Sequence, residues 1–398
     1  MKNNKLNFFY FGEDSNYGNY NPDYICNTNH APEILHLIAS NEPFSISKYE
    51  IVKILNMSEE KLDDTINNLQ LINAIEVKDD TFRIKFPVFL EEDVIKMEGY
   101  LSNIGQVIGE KIISLSNVIN QKLLNLECSK YHSKERILYH IMCEDIFDDT
   151  ALAFFTKRNI FSTPKLQPDD RAYIRVAYED IKTVDLPSSK LICSSNNYRS
   201  YGFFFLNRDG HSNDSSKDMY RFFRLIQKGI DNATPFHDLN IAYNTIIDDM
   251  NKKISRKCGE LISNVISKDT KYNELTVKEK NLVSILKELG YGDINEVNKS
   301  ILINVPLFYA SEKTIIENIS DTILLELYPV AREFFENFEI NISDLTSIRH
   351  MVDIKEISNE LWHQIFGSTN EYLVKKGFIE LPHNVGGESL YLRSITII

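Results

Sequence analysis

Three short segments of the sequence recur in the same order and at almost the same distance along the chain. The matching pairs are 86–89 with 305–308, 146–150 with 365–369, and 173–175 with 391–393. The first two pairs are offset by 219 residues (306 − 87 and 366 − 147), and the third by 218 (391 − 173). A shared order and offset indicate a duplicated unit, which we estimate at about 140 residues. The alternative is a coincidence among segments rich in isoleucine, phenylalanine and tyrosine.

The first copy predicts three short helices followed by a two-stranded hairpin. Residues 32–39 carry the apolar spacing of a short helix. Ser47 and Glu50 have the spacing of a capping box, which marks the start of a second helix. Ser58 can cap a third helix, whose apolar residues recur at i, i+4 and i+7. Two β-prone segments within 75–84 then enclose a polar tip, which predicts the hairpin.

Segment 30–90 resembles the winged helix-turn-helix domain of small bacterial transcription regulators, the group with the arsenic-repressor and multiple-antibiotic-repressor folds. The resemblance rests on the capping box, the turn at 56–58, the apolar face of the third helix and the hairpin. It implies that the third helix enters the DNA major groove, where the base-reading residues would be Lys61, Thr65 and Asn68.

The charge of this segment departs from that expectation. Residues 30–90 contain six Lys/Arg and ten Asp/Glu, so the net charge is 6 − 10 = −4. Acidic residues also crowd the start of the third helix, and they oppose the approach of phosphate. Packing of this module against protein therefore stays open as an alternative to DNA contact.

Each copy is expected to continue with a long helix and to end with a second helix and wing. Apolar residues step by three or four over 94–123 and again over 315–338. Basic residues at corresponding places in the two late wings are candidate phosphate contacts, namely Lys157, Arg158 and Arg175 in the first copy and Lys375, Lys376 and Arg393 in the second. The alternative is that these cations are solvated at helix C-termini.

These features predict an N-terminal arm (1–29), a first repeat (30–179), an insertion or linker (180–235) and a second repeat (236–398). Within 190–230 there are seven Lys/Arg and three Asp, so this part is basic (7 − 3 = +4). Aromatic residues interleave with the basic ones, a pattern that suits a ligand pocket or stacking on nucleic acid. The candidate ligand contacts are Arg199, Tyr201, Arg221 and Arg224. A strand and helix that bury their aromatic residues would give the same pattern.

The predicted fold class is mainly α with small β-hairpins (α+β), built from tandem winged-helix units joined by long helices. A composition with 43% hydrophobic and 11% aromatic residues excludes wholesale disorder. The sequence has no apolar run of the roughly 18–20 residues that a membrane span needs, and its start does not have the pattern of a signal peptide. Five scattered cysteines favour a reducing cytoplasm.

Neither a metal nor another cofactor is predicted. Two cysteines and two histidines could suit zinc chemically, but their spacing is not that of a zinc finger: Cys128, His132, His140 and Cys143. One helix face carries Glu356, Glu360 and His363, which we interpret as a surface salt-bridge ladder. The glycine-rich nucleotide loops, the zinc-protease motif and the nucleophile elbow are absent from the sequence. We therefore expect a binding protein rather than an enzyme.

The sequence predicts a cytoplasmic, bacterial-type transcription regulator whose paired winged-helix units contact double-stranded DNA. A net charge of −13 disfavours coating of nucleic acid through bulk charge, but not specific binding through small basic patches. A small molecule or a protein bound in the insertion, or in the cleft between copies, would shift the spacing of the wings. The alternative is a protein–protein interaction scaffold that does not bind DNA. Homodimerisation is left open.

Overall fold

The structure is a computed structural model in which most residues are helical and the sheets are small. This confirms a mainly helical α+β fold. The residues that the structure describes are 4–12, 21–28, 30–162, 165–167, 171–179, 194–200, 203–209, 237–288, 290–380 and 391–397.

The first half of the chain contains eight α-helices and six strands among its described residues. In chain order they are β1 (Leu6–Gly12), α1 (Pro22–Cys26), α2 (Ala31–Ala39), α3 (Lys48–Leu55), α4 (Glu59–Leu71), β2 (Ile75–Lys78), β3 (Thr81–Ile84), β4 (Val88–Phe89), α5 (Glu91–Ser114), α6 (Ser116–Leu123), α7 (Lys134–Ile141), α8 (Ala151–Lys157), β5 (Lys165–Gln167) and β6 (Arg171–Glu179). A 3-10 turn spans Glu127–Lys130, and a π-helix, Met142–Thr150, joins α7 to α8.

The second half follows a similar order of long helices and short strands. Its elements are β7 (Ser194–Ser200), β8 (Phe203–Asp209), α9 (His237–Lys268), α10 (Val277–Glu288), β9 (Gly292–Ile294), β10 (Ile301–Ile303), β11 (Leu307–Tyr309), α11 (Lys313–Asn341), α12 (Thr346–Arg349), α13 (Ile354–Lys375) and β12 (Tyr391–Ile397). Two 3-10 turns, Tyr272–Glu274 and Ala310–Glu312, precede α10 and α11.

Residues 30–90 fold as three helices and a hairpin, in the predicted order. The Ser47 hydroxyl accepts the amide of Glu50, and the Glu50 carboxylate accepts the amide of Ser47, so the predicted capping box starts α3. The Ser58 hydroxyl accepts the amide of Lys61 at the start of α4. The apolar faces of these helices pack on the hairpin in one core, to which Leu62 and Phe82 both belong.

Each half contains a mixed sheet in which a short strand pairs in parallel with a later, longer one. In the first sheet the order is β1-β6-β4, with β5 also on β6, and in the second it is β7-β8-β12-β11. Val88 of β4 lies opposite Ala177 of β6, and Leu307 of β11 lies opposite Ile395 of β12. These positions are offset by 307 − 88 = 219 and 395 − 177 = 218, so the pairing register recurs at the offset of the sequence matches.

The two sheets alter the division expected from the sequence. Strand β1, from the predicted N-terminal arm, pairs along its whole length with β6 and so belongs to the first sheet. Strands β7 and β8, from the predicted insertion, belong to the second sheet, where β8 pairs with β12. The part of 180–235 that the structure describes is therefore joined to the second half rather than set apart from it.

The late wings expected from the sequence are instead inner strands of these sheets. Strand β6 pairs with β1, β4 and β5, and β12 pairs with both β8 and β11. A wing would need a hairpin that extends beyond its module, whereas these strands have neighbours on both sides. The Arg175 and Arg393 positions consequently lie in sheets, not at wing tips.

The two halves are joined through a common core. Helix α5 of the first half packs on α13 of the second, where a Cβ at Gly105 would lie 2.6 Å from the Ser368 Cβ. A Cβ at Gly109 would lie 2.5 Å from the Tyr372 ring. Glycine at position 105 lets α5 approach the backbone of α13 closely, and glycine at position 109 leaves room for the Tyr372 ring. Apolar residues of α5, the π-helix, α11 and α13 form one cluster around Trp362.

Two buried carboxylates link the halves reciprocally. Asp93, in the first turn of α5, accepts the amides of Leu90 (2.8 Å) and of Thr346 in the second half (3.0 Å). Glu312, just before α11, accepts the amides of Tyr309 (2.8 Å) and of Glu127 in the first half (2.5 Å). Every pair is related by 219: 312 − 93, 309 − 90 and 346 − 127. Each half therefore caps its own helix and binds the other half with one carboxylate.

Candidate functional site

Two pairs of cations, each with at least one exposed member, end helices at matching positions in the two halves. Lys157 and Arg158 lie at the end of α8, and Lys375 and Lys376 at the end of α13, with an offset of 375 − 157 = 218. Lys157, Lys375 and Lys376 are exposed, and Arg158 is half-buried. Cations at these positions are favourable because the helix C-terminus carries partial negative charge.

The two helix ends share their backbone geometry. Asn159 and Gly377 both adopt left-handed backbone conformations, with φ of 64° and 65°. The next residue in each case donates its amide back to the helix, Ile160 to the Phe155 carbonyl (3.0 Å) and Phe378 to the Leu373 carbonyl (2.9 Å). This left-handed C-terminal turn holds the preceding cations in the same local frame in both halves.

The second cation of each pair lies over an aromatic ring four residues earlier. The Arg158 guanidinium carbon is 3.4 Å from the Phe154 ring centroid, and the Lys376 ammonium is 5.3 Å from that of Tyr372. Arg158 also donates to the Phe154 carbonyl. The Tyr372 hydroxyl donates to Glu110. The pKa of Glu110 is lowered, first by its hydrogen bond with Gln106, then by Tyr372 and by the charge of Lys376.

Arg175 is buried rather than displayed, with 4% of its surface exposed. Its guanidinium donates to the Ile72 carbonyl (3.0 Å) and to the Tyr173 hydroxyl (3.2 Å), and it lies over the Phe86 ring. An arginine held in this way inside the first half has no access to a phosphate. Arg175 is therefore excluded as a candidate DNA contact.

The other candidate binding residues lie on the surface, in the core or outside the described part of the structure. Lys61 and Asn68 are exposed on α4, but Thr65 is buried, and its hydroxyl donates to the Lys61 carbonyl, so it cannot read a base. Arg199 and Arg393 lie in strands whose side chains are outside the described structure. Three ligand-contact candidates lie wholly outside the described residues: Tyr201, Arg221 and Arg224.

The face of α4 is acidic, as its sequence suggested. Glu59, Glu60 and Asp64 are exposed, and Asp63 forms an ion pair with Lys48 of α3 (2.6 Å). The hairpin behind α4 is anchored to the second half, because Arg83 donates to the His350 carbonyl.

A cleft of about 270 Å³ lies between α5 and α13, and so between the two halves. The residues that line it are Val94, Glu98, Leu101, Ser102, Gln106, Gln364, Ser368, Glu371, Tyr372 and Lys375. Val94, Leu101 and Gln364 are buried, whereas Glu98 and Lys375 are exposed. The cleft thus has an apolar and amide floor and a charged rim, which includes one of the candidate phosphate contacts.

A buried polar cluster lies behind the cleft floor. The Tyr178 hydroxyl donates to Glu360, and the Gln364 amide nitrogen donates to the Tyr178 oxygen and, at 3.4 Å, to Glu360. Burial raises the pKa of Glu360, although nearby His363 and the two hydrogen bonds oppose that rise. Burial likewise raises the pKa of Tyr178.

The sequence interpretation of this helix face as a surface salt-bridge ladder is wrong. Glu356, Glu360 and His363 are each less than 8% exposed, because α13 is surrounded by α5, the π-helix and β6. These three residues, and the cleft lining apart from Lys375, were missed as site residues, although a cleft between the copies was expected from the sequence. The available signal was the breadth of the apolar face of α13, which runs from Ile357 through Ile365 to Phe366, because a surface helix usually has a narrower apolar stripe.

Within the described part of the chain, no cluster of three or more His, Cys, Asp or Glu side chains could hold a metal ion. Cys128 is instead a buried thiol, and burial, then the charge of Glu312, raises its pKa to about 12. Burial lowers the pKa of His140 well below its ordinary value of 6.5. None of the helices in the described ranges has both the length and the apolar character of a membrane span.

Comparisons of the chain with protein-family models, with curated proteins and with solved structures find no match. The features of the molecule that bear on its function are therefore the two helix ends, the cleft and the junction of the halves.

Proposed function

We propose that the chain is a DNA-binding transcription regulator in which two equivalent basic helix ends contact phosphates of one duplex. The observation that carries this proposal is the shared geometry of the α8 and α13 ends. Both end in a left-handed turn, both have an exposed lysine, and both have a second cation over an aromatic ring. Lys157, Lys375 and Lys376 supply the main contacts. Arg158 contributes once its guanidinium leaves the Phe154 ring.

We further propose that the halves are copies of one winged-helix-containing unit. The support is the common offset of the sequence matches, of the parallel strand pairing and of the Asp93 and Glu312 bridges. Two copies related by an approximate twofold axis suit duplex DNA, whose backbone has twofold axes of its own. DNA specificity is supplied by residues outside the helix ends, because phosphate contacts carry no sequence information.

The regulator is gated by a small molecule or a protein. A ligand between the halves changes DNA affinity only if it binds two arrangements of them unequally. The α5–α13 cleft supports this proposal because it lies at the junction and has Lys375 at its rim.

Selection of genomic DNA fragments by the full chain, followed by a salt titration of binding, tests the function. We expect specific fragments whose affinity falls steeply as salt rises, because bound cations release counterions from DNA. The double variant Lys375→Glu, Lys376→Glu should abolish binding. The matched control is Lys278→Glu, Lys313→Glu, which changes the net charge equally at exposed sites elsewhere. Retained binding by the first variant, or no selected fragment, contradicts the proposal.

A second candidate function is protein binding by the first module. It is favoured by the acidic face of α4, where Glu59, Glu60 and Asp64 are exposed and Thr65 is buried. Leu71, 45% exposed, adds an apolar contact at the helix end. The charge reversal Glu59→Lys, Glu60→Lys should then abolish binding of a partner that has a basic surface. Affinity capture with quantitative mass spectrometry measures this loss. DNA selection by the same variant should be unchanged.

A further inference from the structure

We propose that the free edge of strand β1, the side turned away from β6, pairs with β1 of a second copy of the chain. The first sheets of the two copies then join into one continuous sheet. Among the described residues β1 pairs with β6 and with no other strand. Its seven pairs run without a break from Leu6 opposite Glu179 to Gly12 opposite Tyr173. The inference goes beyond the proposed function and does not depend on DNA binding.

One hydrogen bond shows which residues of β1 direct their backbone groups to the free edge. The Ala177 amide of β6 donates to the Pro87 carbonyl (3.0 Å), so the backbone of Ala177 faces β4 rather than β1. Phe8, which lies opposite Ala177, therefore belongs to a non-hydrogen-bonded pair, and its N–H and C=O point away from β6. Because this orientation alternates along a strand, it is shared by Leu6, Phe8, Tyr10 and Gly12.

The matching strand of the second sheet has a neighbour on this side. The Ile395 amide donates to the Pro306 carbonyl (3.1 Å), and these two residues lie 395 − 177 = 218 and 306 − 87 = 219 positions after the pair in the first sheet. Phe205 of β8 lies opposite Ile395, as Phe8 of β1 lies opposite Ala177. Strand β7 pairs antiparallel with the other side of β8 over seven residues. The second sheet thus shows that this position accepts an antiparallel strand as long as β1.

The sequence of β1 lacks the features that keep edge strands apart. Charged residues, prolines and bulges normally protect an exposed edge from pairing with other chains. Strand β1 reads Leu-Asn-Phe-Phe-Tyr-Phe-Gly and has none of these, whereas β7, the outer strand of the second sheet, is polar and includes Arg199. Phe9 of β1 is 39% exposed. An uncharged, aromatic edge strand favours the addition of a further strand.

A second copy of β1 meets the requirements of this edge. Two identical strands related by a twofold axis are antiparallel, which is the direction of β7 relative to β8. The register that uses every outward residue puts Leu6 opposite Gly12 of the second copy and Phe8 opposite Tyr10. Phe9 then lies opposite Phe9 of the second copy, in a non-hydrogen-bonded pair with Cα atoms about 4.5 Å apart. Aromatic side chains in such a pair attract each other.

Sedimentation equilibrium of the full chain tests whether copies associate. We expect a species of twice the mass of the chain, with a dissociation constant on the order of 1–100 µM. The affinity is modest because two seven-residue strands bury less than the roughly 1,200 Å² of a standard interface. A chain that stays monomeric at about 500 µM overturns the proposal.

Charge variants at Phe9 test the place of contact. Phe9→Lys and Phe9→Glu each put like charges opposite one another across the twofold axis, so each alone should dimerise at least about tenfold more weakly. Fluorescently labelled Phe9→Lys titrated with unlabelled Phe9→Glu should recover the dimer, which excludes misfolding as the cause of the loss. A mixture that associates no better than its components overturns the pairing.

The matched control is Asn7→Lys, exposed on the same strand. In this register position 7 lies opposite position 11 of the second copy (18 − 7), so the introduced lysines do not face each other. We expect it to dimerise as the wild type. If Asn7→Lys weakens the dimer as much as Phe9→Lys does, the register is wrong and the pairing as proposed is overturned.

A cross-link tests the register independently. Phe9→Cys should form a disulfide between copies under oxidising conditions, because a Cα separation of about 4.5 Å lies within the range of disulfides. Asn7→Cys should not, because the two positions are four residues apart along the strands, about 13 Å. Non-reducing electrophoresis compares both with the wild type, which has five cysteines of its own. A dimer that Phe9→Cys does not cross-link has another interface and overturns the proposal.

Discussion

At the scale of single residues, two glycines of α5 have opposite environments. A Cβ at Gly105 would lie 2.6 Å from the Ser368 Cβ and 3.0 Å from backbone atoms of α13, whereas nothing lies within 4 Å of a Cβ at Gly99. We expect Gly105→Ala to destabilise the protein by about 1–3 kcal/mol, because backbone cannot move aside. Gly99→Ala should stabilise it by about 0.5–1 kcal/mol through helix propensity. Urea unfolding measures both, and equal effects would contradict the close packing of α5 on α13.

A buried histidine makes the junction of hairpin and second half sensitive to pH. His350 accepts the Ile84 amide at Nδ1 (3.2 Å), and its Nε2 lies 3.1 Å from the Asn41 carbonyl, to which it donates. The bond that Nδ1 accepts requires the neutral ring, and burial lowers the pKa of His350 below its ordinary 6.5. The unfolded chain therefore takes up a proton before the folded one does. The stability that His350 provides is present above pH 6.5 and is lost as the pH falls below it.

We expect the difference in unfolding free energy between wild type and His350→Gln to be larger at pH 7.5 than at pH 5. The comparison isolates His350, because other titrating groups are common to both proteins. Denaturant unfolding at the two pH values measures the difference. A gap that widens at low pH would show that the ring is bound in its charged form.

Single residues also show where sequence patterns stop being informative. The Ser47–Glu50 capping box was predictable because its partners are three residues apart. The burial of Arg175 and Thr65 was not, since it depends on residues far away in the chain that cover them. Gln364 was missed for the same reason, because its partner Tyr178 lies on a strand of the other half.

At the scale of elements, helices were predicted better than strands. The 3.6-residue apolar period fixes the face of a long helix, so α11 lies where its apolar stripe indicated, whereas the stripe over 94–123 is divided between α5 and α6 at Leu115. The partner of a strand cannot be predicted from a local sequence pattern. Segments 171–179 and 391–397 therefore looked like the return strands of wings, although each pairs in parallel with a strand more than 80 residues earlier in the chain (177 − 88 and 395 − 307).

The π-helix Met142–Thr150 coincides with a change in the offset between the matching segments of the two halves. From Phe147 to Lys157 the first copy has 157 − 147 = 10 steps, whereas the second has 375 − 366 = 9 from Phe366 to Lys375. The offset falls from 219 to 218 across this helix, which fits one extra residue in the first copy. A single inserted residue is accommodated by a π-turn, which keeps the packing faces on both sides. In the second copy α13 runs through uninterrupted.

Deletion of one residue should therefore be tolerated in the first copy and not in the second. We expect the chain lacking Asp149 to stay soluble and to unfold cooperatively, with a regular helix from α7 to α8. The chain lacking Ser368, the position 219 residues later, should not fold, because every following side chain of α13 turns by about 100°. Circular dichroism and thermal unfolding compare the two. Loss of folding in the Asp149 deletion would mean that the extra residue is not a simple insertion.

At the scale of the whole molecule, the two halves are interlocked rather than joined end to end. Helix α5 packs on α13, the π-helix packs on α11, and each long helix begins with a carboxylate that accepts an amide from the other half. The recurrence of elements at a nearly constant offset was predictable, because short matches in the sequence keep their order and offset. The interlocking of the halves was not predictable, because a repeat in the sequence does not determine how the repeated segments pack on each other.

The reciprocal carboxylates make a quantitative prediction about this junction. Asp93 is 2% and Glu312 7% exposed, and each accepts one amide of its own half and one of the other. Asp93→Asn and Glu312→Gln each replace an acceptor oxygen by a donor that faces a backbone N–H. We expect each to cost about 1–3 kcal/mol. The two costs should be similar, because the bonds are equivalent.

The control is Asp344→Asn, which breaks an exposed ion pair with Lys96 and should cost less than about 1 kcal/mol. All three variants are compared by denaturant unfolding, followed by fluorescence of Trp362, which lies in the core shared by the halves. If the halves are interlocked, Asp93→Asn and Glu312→Gln lower the midpoint of a single transition. Two separate transitions in either variant would show instead that the carboxylates join halves that are each stable alone, and the arrangement of the halves would then be adjustable by a ligand at the junction.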